Sequence, residues 1–233
     1  MVCLLNGLAM HTPAWYGFLP RLRPDYDVLL WDYPGQGRST TADVPYHLDR
    51  FGTYLLRILD RLRAKKIHLV GISYGGFVAL EFARQYHDRL HTMAISGILL
   101  SREKLFDMYQ ELSLRFYAGG PESFEQYTYY MYEKIFGEAF AASAGDSLAK
   151  MRQSFCDRYR DRTTALVRLT KAQNPATSPA RSGSTTHRWR CSACDSACTP
   201  PGTSSRNGSA LRARDESRAS MAGTAAPSSC CDI

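Results

Sequence analysis

Apolar positions in the first hundred residues fall into short continuous runs parted by turn residues, with helical spacing between some of them. Val2–Leu5 is an unbroken apolar run that stops at Asn6-Gly7, which predicts a buried strand feeding a turn. Trp15–Leu22, bounded by Pro13 and Pro24, predicts a short helix. Tyr26–Trp31 predicts a second strand, ended by the breakers of Asp32-Tyr33-Pro34-Gly35-Gln36-Gly37. Leu48, Phe51, Leu55, Ile58, Leu59 and Leu62 recur at three- and four-residue spacing, the pattern of an amphipathic helix. A third strand over Ile67–Val70, a turn over Gly71–Gly75, a helix from Gly76 to about Gln85 and a fourth strand over Thr92–Ile95 follow. After Gly97 the alternation stops. Ser101–Phe140 carries helical, aromatic-rich patterning broken at Gly119-Gly120-Pro121, and residues 145–172 predict one more helix with charge along one side.

Strands that alternate with helices and are nearly continuous in apolar residues predict an α/β fold, a parallel sheet with helices on both faces. In such sheets ligands sit beyond the carboxyl ends of the strands, and the unusual loops of this chain all lie there. Residues 1–100 are therefore expected to form the sheet domain, and residues 101–173 a helical region with a following helix. Residues 174–233 read as a low-complexity tail. They contain no Val, Phe, Tyr, Lys or Gln and consist largely of Ser, Ala, Arg, Thr, Pro and Cys. Such a segment buries too little apolar surface to offset the entropy of ordering its backbone, so it is expected to be disordered. The abrupt change at Asn174-Pro175 is expected of a reading-frame slip.

Composition narrows the function classes. Hydrophobic residues make up 44% and charged residues 22%, the balance of a globular protein. No apolar run reaches the ~18 residues that suggest a membrane span, and the start of the chain has no basic, apolar leader. Cytoplasm is the expected compartment, with no membrane partner. The net charge of +7 comes without a basic run, so a nucleic-acid partner is not expected.

Gly71-Ile72-Ser73-Tyr74-Gly75 fits G-x-S-x-G between a strand and a helix. A nucleophilic Ser needs a sharp, strained corner that lifts its hydroxyl off the sheet, with glycines where neighbouring backbones approach. The helix that follows aims its N-terminal amides at the same point, where they can stabilise an oxyanion. The alternative, a phosphate-binding turn of a nucleotide-binding sheet, lacks the P-loop Lys and has no G-x-G-x-x-G after its first strand.

With these motifs in view, residues 2–173 resemble the α/β-hydrolase superfamily. Asn6-Gly7-Leu8 with Trp15 downstream is similar to the His-Gly-x…Trp loop after that family's third strand. Asp32-Tyr33-Pro34-Gly35-Gln36-Gly37-Arg38-Ser39 is similar to the Asp-x-Pro-Gly-x-Gly-x-Ser loop after its fourth, and Gly71–Gly75 to the nucleophile elbow after its fifth. His87-Asp88-Arg89-Leu90 is similar to the lead into its sixth, and the aromatic stretch sits where the family inserts a helical cap. The resemblance implies Ser73 as nucleophile, with the backbone amides of Leu8 and Tyr74 as oxyanion hole. It implies a small-molecule acyl substrate, carboxylic esters or related lactones and thioesters, and neither metal nor cofactor. Asn6 stands where the family has His; since the backbone amide does the donating, the change is expected to be tolerated. Asp32 and Ser39 are expected to pin a tight loop.

The family's base and acid follow the nucleophile in the order Ser, acid, His, and no residue matches either role. His11 precedes Ser73 and is expected to line the pocket. His68 reads as a strand residue, and His87 and His91 lie at the wrong end of the sheet. His187 falls in the tail, as does Asp195, which no His follows. The resemblance covers strands three to six of eight, so two exposed sheet edges and a tendency to aggregate are expected. Two readings follow, a serine hydrolase acting through an acyl-enzyme on Ser73, or a truncated, catalytically inactive hydrolase-like protein. The tail's His187, Cys191, Cys194 and Cys198 have zinc-ligand spacing, but without the turns and core residues that structural zinc modules need.

Overall fold

The computed structural model describes residues 1–98 and 104–173. These lie in one compact unit, Met1–Arg181; a second, Ser182–Ile233, falls outside the described residues. The expectations for the tail, including His187, Asp195 and the cysteines from Cys191 onward, fall there too.

Four strands form a parallel sheet: β1 (Val2–Leu5), β2 (Val28–Trp31), β3 (Ile67–Ile72) and β4 (Leu90–Ser96), in the order β2-β1-β3-β4. Side chains alternate between faces because the strand period is two. Cys3, Leu5, Ile67 and Leu69 enter the main core, with Leu29, Trp31, Met93 and Ile95 packed against it. Val2 and Leu4 point the other way, into a smaller cluster with Trp15, Val28, Leu30, Val70 and Ile72. On the main-core face lie α2 (Leu48–Arg61) and α3 (Tyr74–Tyr86), packed on each other. Phe51, Leu55 and Leu59 of α2 and Val78, Ala79 and Phe82 of α3 are fully buried there. The opposite face is covered by the β1–β2 connection, a 3₁₀ turn at Thr12–Trp15 and the single-turn α1 (Leu19–Leu22). The short helix expected over Trp15–Leu22 is thus two separate turns, which Trp15 anchors by burial and by Nε1 donating to Asn6 Oδ1 at 2.7 Å. Along β4, Thr92, Ala94 and Ser96 remain exposed.

The helical region is more finely divided than its patterning suggests. It contains α4 (Lys104–Ala118), α5 (Gly120–Ile135), α6 (Glu138–Ala144), α7 (Asp146–Tyr159) and α8 (Thr163–Ala172). Phe136 turns extended at φ −100°, ψ 132°, which separates α5 from α6. The one helix expected over 145–172 breaks into α7 and α8 at a 3₁₀ turn, Arg160–Arg162. Tertiary anchors hold that break: the Tyr159 hydroxyl donates to Met10 O at 3.3 Å and Arg162 to Gly37 O at 2.8 Å. α8 packs against the β2–α2 loop, where Arg168 pairs with Asp43.

The connection after β1 runs to β2 on one side, whereas the connection after β3 runs to β4 on the other. The carboxyl ends of β1 and β3 therefore flank a topological switch point, where a crevice opens in α/β sheets.

Candidate active site

Ser73 occupies that crevice. It follows β3 directly, precedes α3, and has φ 49°, ψ −120°, a conformation that costs a non-glycine residue about 1–3 kcal/mol. Two hydrogen bonds fix the corner: Ser73 N donates to Ser96 O of β4, and Gly76 N donates to Ser73 O, both at 2.8 Å. The glycines of the motif are required by contact. A Cβ at Gly71 would overlap the Gly75 carbonyl, and one at Gly75 would overlap the Leu5 carbonyl, so β1, β3 and the start of α3 approach more closely than any side chain permits. The result is an exposed Ser73 side chain between two strand ends.

The loop after β1 lies beside it; a Cβ on Gly7 would stand 3.5 Å from Ser73 Cβ. Among the described residues neither the Leu8 amide nor the Tyr74 amide is taken by a hydrogen bond. Tyr74 is the first residue of α3, where backbone amides have no intrahelical acceptor. Its side chain turns inward, fully buried against Tyr33 and Phe51.

A buried polar network holds the loop. Asn6 donates to Asp32 Oδ1 at 3.0 Å and to Trp31 O at 3.1 Å. Asp32 Oδ1 also accepts the Thr12 amide at 2.8 Å and Oδ2 the Arg38 amide at 3.1 Å, while Ser39 Oγ donates to Asp32 O at 2.7 Å. Asp32 and Ser39 thus pin the loop, as expected from the sequence. Gln36, fully buried, accepts the Ala9 amide on Oε1. Ala9 sits at φ 58°, so this bond fixes the backbone immediately after Leu8. Gln36 stands between two glycines of a turn and carries no local sequence signal of this role.

A cleft of about 790 Å³ contains Ser73 and Leu8, within the range of small-molecule sites. Its walls are apolar, from Met10 and Ile72 beside the sheet and Met131, Ile135, Phe136, Met151 and Phe155 on α5, α7 and the residue after α5. The helices therefore roof the strand ends. His11 lines the same cleft, with Nδ1 3.2 Å from the Arg158 guanidinium. Burial, with Arg158 second, pulls the His11 pKa below its ordinary value, against the opposing pull of Asp32. No imidazole or carboxylate among the described residues hydrogen-bonds Ser73. His68 instead meets Thr92 Oγ1 at 2.9 Å and stacks on His91 at 5.2 Å, near the amino ends of β3 and β4 and away from the carboxyl ends that flank Ser73. No group of His, Cys, Asp and Glu among the described residues could hold a metal ion, and none of their helices is long and apolar enough to cross a membrane.

A parallel sheet whose switch point carries an exposed serine on a strained strand-to-helix corner, under a helical roof, defines the architecture of an α/β hydrolase. The chain belongs to the alpha/beta hydrolase fold family, whose model matches residues 1–186. It is similar to the Pimeloyl-[acyl-carrier protein] methyl ester esterase of Aeromonas hydrophila, 36% identical over 105 residues, 43% of this chain and 40% of the relative. It is also similar to the Poly(3-hydroxyalkanoate) depolymerase of Ectopseudomonas oleovorans, 30% identical over 94 residues, 40% of this chain and 33% of the relative. Matches to these curated relatives thus span well under half of their length. Among solved structures, MGS-M2, an alpha/beta hydrolase from a Medee basin deep-sea metagenome library, superposes with a TM-score of 0.66 at 24% identity, over 73% of this chain and 62% of the other.

Proposed function

We propose that the chain carries a serine acyl-transfer site acting on carboxylic esters or related acyl substrates. The observation that carries this reading is the corner at residue 73, an exposed non-glycine residue at φ 49° in a cleft shared with Leu8. Strain of that kind persists where the surrounding structure enforces it, and it clusters at active sites. In this scheme Ser73 Oγ attacks the carbonyl carbon, the ester C–O bond breaks, the alcohol leaves with a proton, and water later releases the acyl group. The Leu8 and Tyr74 amides receive the charge that develops on the carbonyl oxygen, each such donor lowering the barrier by about 2.7–4 kcal/mol. The scheme calls for no metal or cofactor. The relative named as a methyl ester esterase supports the same class of substrate.

The proton of Ser73 requires an acceptor, and the imidazole that shares the cleft turns its Nδ1 to Arg158 instead. That observation favours a second reading, a hydrolase-like chain that binds acyl ligands without turning them over. A fluorophosphonate probe separates the two. A working site predicts one equivalent of label on Ser73, with loss of fluoride, and none in Ser73→Ala. An unlabelled Ser73 supports the inactive reading, and label on another residue overturns the assignment of the nucleophile.

A further inference from the structure

The cleft around Ser73 is apolar in its walls but one-signed in its charge. Among the described residues two cations line it, Arg158 and Lys150, and no Asp or Glu does. Arg158 is half-buried on α7. Its hydrogen-bond partners are neutral: Nη1 meets His11 Nδ1 and Nη2 donates to Ser154 Oγ, each at 3.2 Å. It forms no ion pair among the described residues. A guanidinium has five N–H donors, so after these two bonds three remain, with no anion among the described residues to receive them. Asp32, whose charge reaches His11, has its carboxylate oxygens taken up by Asn6 and the amides of Thr12 and Arg38.

We infer that the physiological ligand of this cleft is an acyl compound bearing an oxyanion, a carboxylate or phosphate, held by Arg158 while the acyl carbon lies at Ser73. A half-buried guanidinium whose described partners are both neutral is available to a ligand anion, and it matches the planar fork of such anions better than ammonium does. The contact to His11 also places Arg158 at the oxyanion loop itself. His11 is three residues beyond Leu8, a backbone reach of at most about 11 Å, and the Tyr159–Met10 bond fastens α7 to the same loop. The anionic head and the acyl carbon are therefore separated by a short to medium chain, which the apolar walls accommodate. Because Arg158 donates to Nδ1, the neutral His11 carries its proton on Nε2 and adds a further donor, whereas Lys150, exposed at the rim, adds steering charge. This rests on the reading of Ser73 as the reacting residue.

The test is calorimetric titration of the full chain with monomethyl esters of C4 to C8 dicarboxylic acids and with the corresponding dimethyl esters, in parallel with fluorophosphonate labelling of Ser73. The monoester is expected to bind at least tenfold tighter, with the preference lost in Arg158→Gln, partly kept in Arg158→Lys, and weakened by salt. Competition by a short alkyl carboxylate against an alkyl phosphate of equal length tells which head is preferred, and displacement by either supports the inference. Equal binding of monoester and diester overturns it, whatever happens at Ser73. A monoester preference that depends on Arg158 while Ser73 stays unlabelled upholds the anion site and removes the nucleophile reading.

Discussion

Ser73 keeps a backbone conformation that glycine would adopt without strain. Its replacement therefore separates structure from chemistry. Ser73→Gly relieves about 1–3 kcal/mol of strain and loses about 0.5–1 kcal/mol through the freer unfolded chain. The expected outcome is a protein about 1 kcal/mol more stable than Ser73→Ala in urea unfolding, with neither variant taking the fluorophosphonate. Equal stability of the two variants would show that the corner stores no strain. Cys3, within β1, illustrates the opposite use of a reactive residue type. Burial pushes its thiol up to about 12, so at neutral pH it is packing, not a nucleophile.

Among elements, the loops after β1 and β2 act as one unit. Asn6, Trp15, Asp32 and Gln36 are tied across them by hydrogen bonds that span 9 to 27 positions in sequence. Gln36→Leu leaves the Ala9 amide buried without an acceptor, at a cost of about 1–3 kcal/mol. It is expected to slow labelling of Ser73 at least tenfold while leaving β3 and its corner in place; an unchanged rate would mean that the loop needs no such tie. Much of this was legible beforehand. The Gly-x-Ser-x-Gly corner and the Asp32–Ser39 turn announce themselves because glycine and Asp do specific local work there. The contacts of Gln36, His11 and Arg158 do not, since each depends on residues distant in the chain; Arg158 and His11 lie 147 positions apart. For the same reason the helix expected over 145–172 hid its break. No Pro or Gly marks Arg160–Arg162, and the turn is held by the tertiary bonds of Tyr159 and Arg162. The α5–α6 break did carry a local signal, Gly137.

At the scale of the molecule, four parallel strands and their crossovers bring two loops together at a switch point, and the helices above close a cleft over it. The strands follow from apolar runs readable in the sequence, whereas their order rests on long-range pairing, and that order brings the loop after β1 beside Ser73. The partner groups of a full acyl-transfer site were not legible, and the described residues place none against Ser73. The central claim is that the hydroxyl of Ser73 and the amides of Leu8 and Tyr74 meet around one reacting centre. A crystal structure of the fluorophosphonate adduct tests it most directly. The account predicts phosphorus on Ser73 Oγ, with its unesterified oxygen about 2.7–3.1 Å from both amide nitrogens. A phosphoryl oxygen turned to solvent, or a Ser73 that stays unmodified, would contradict it.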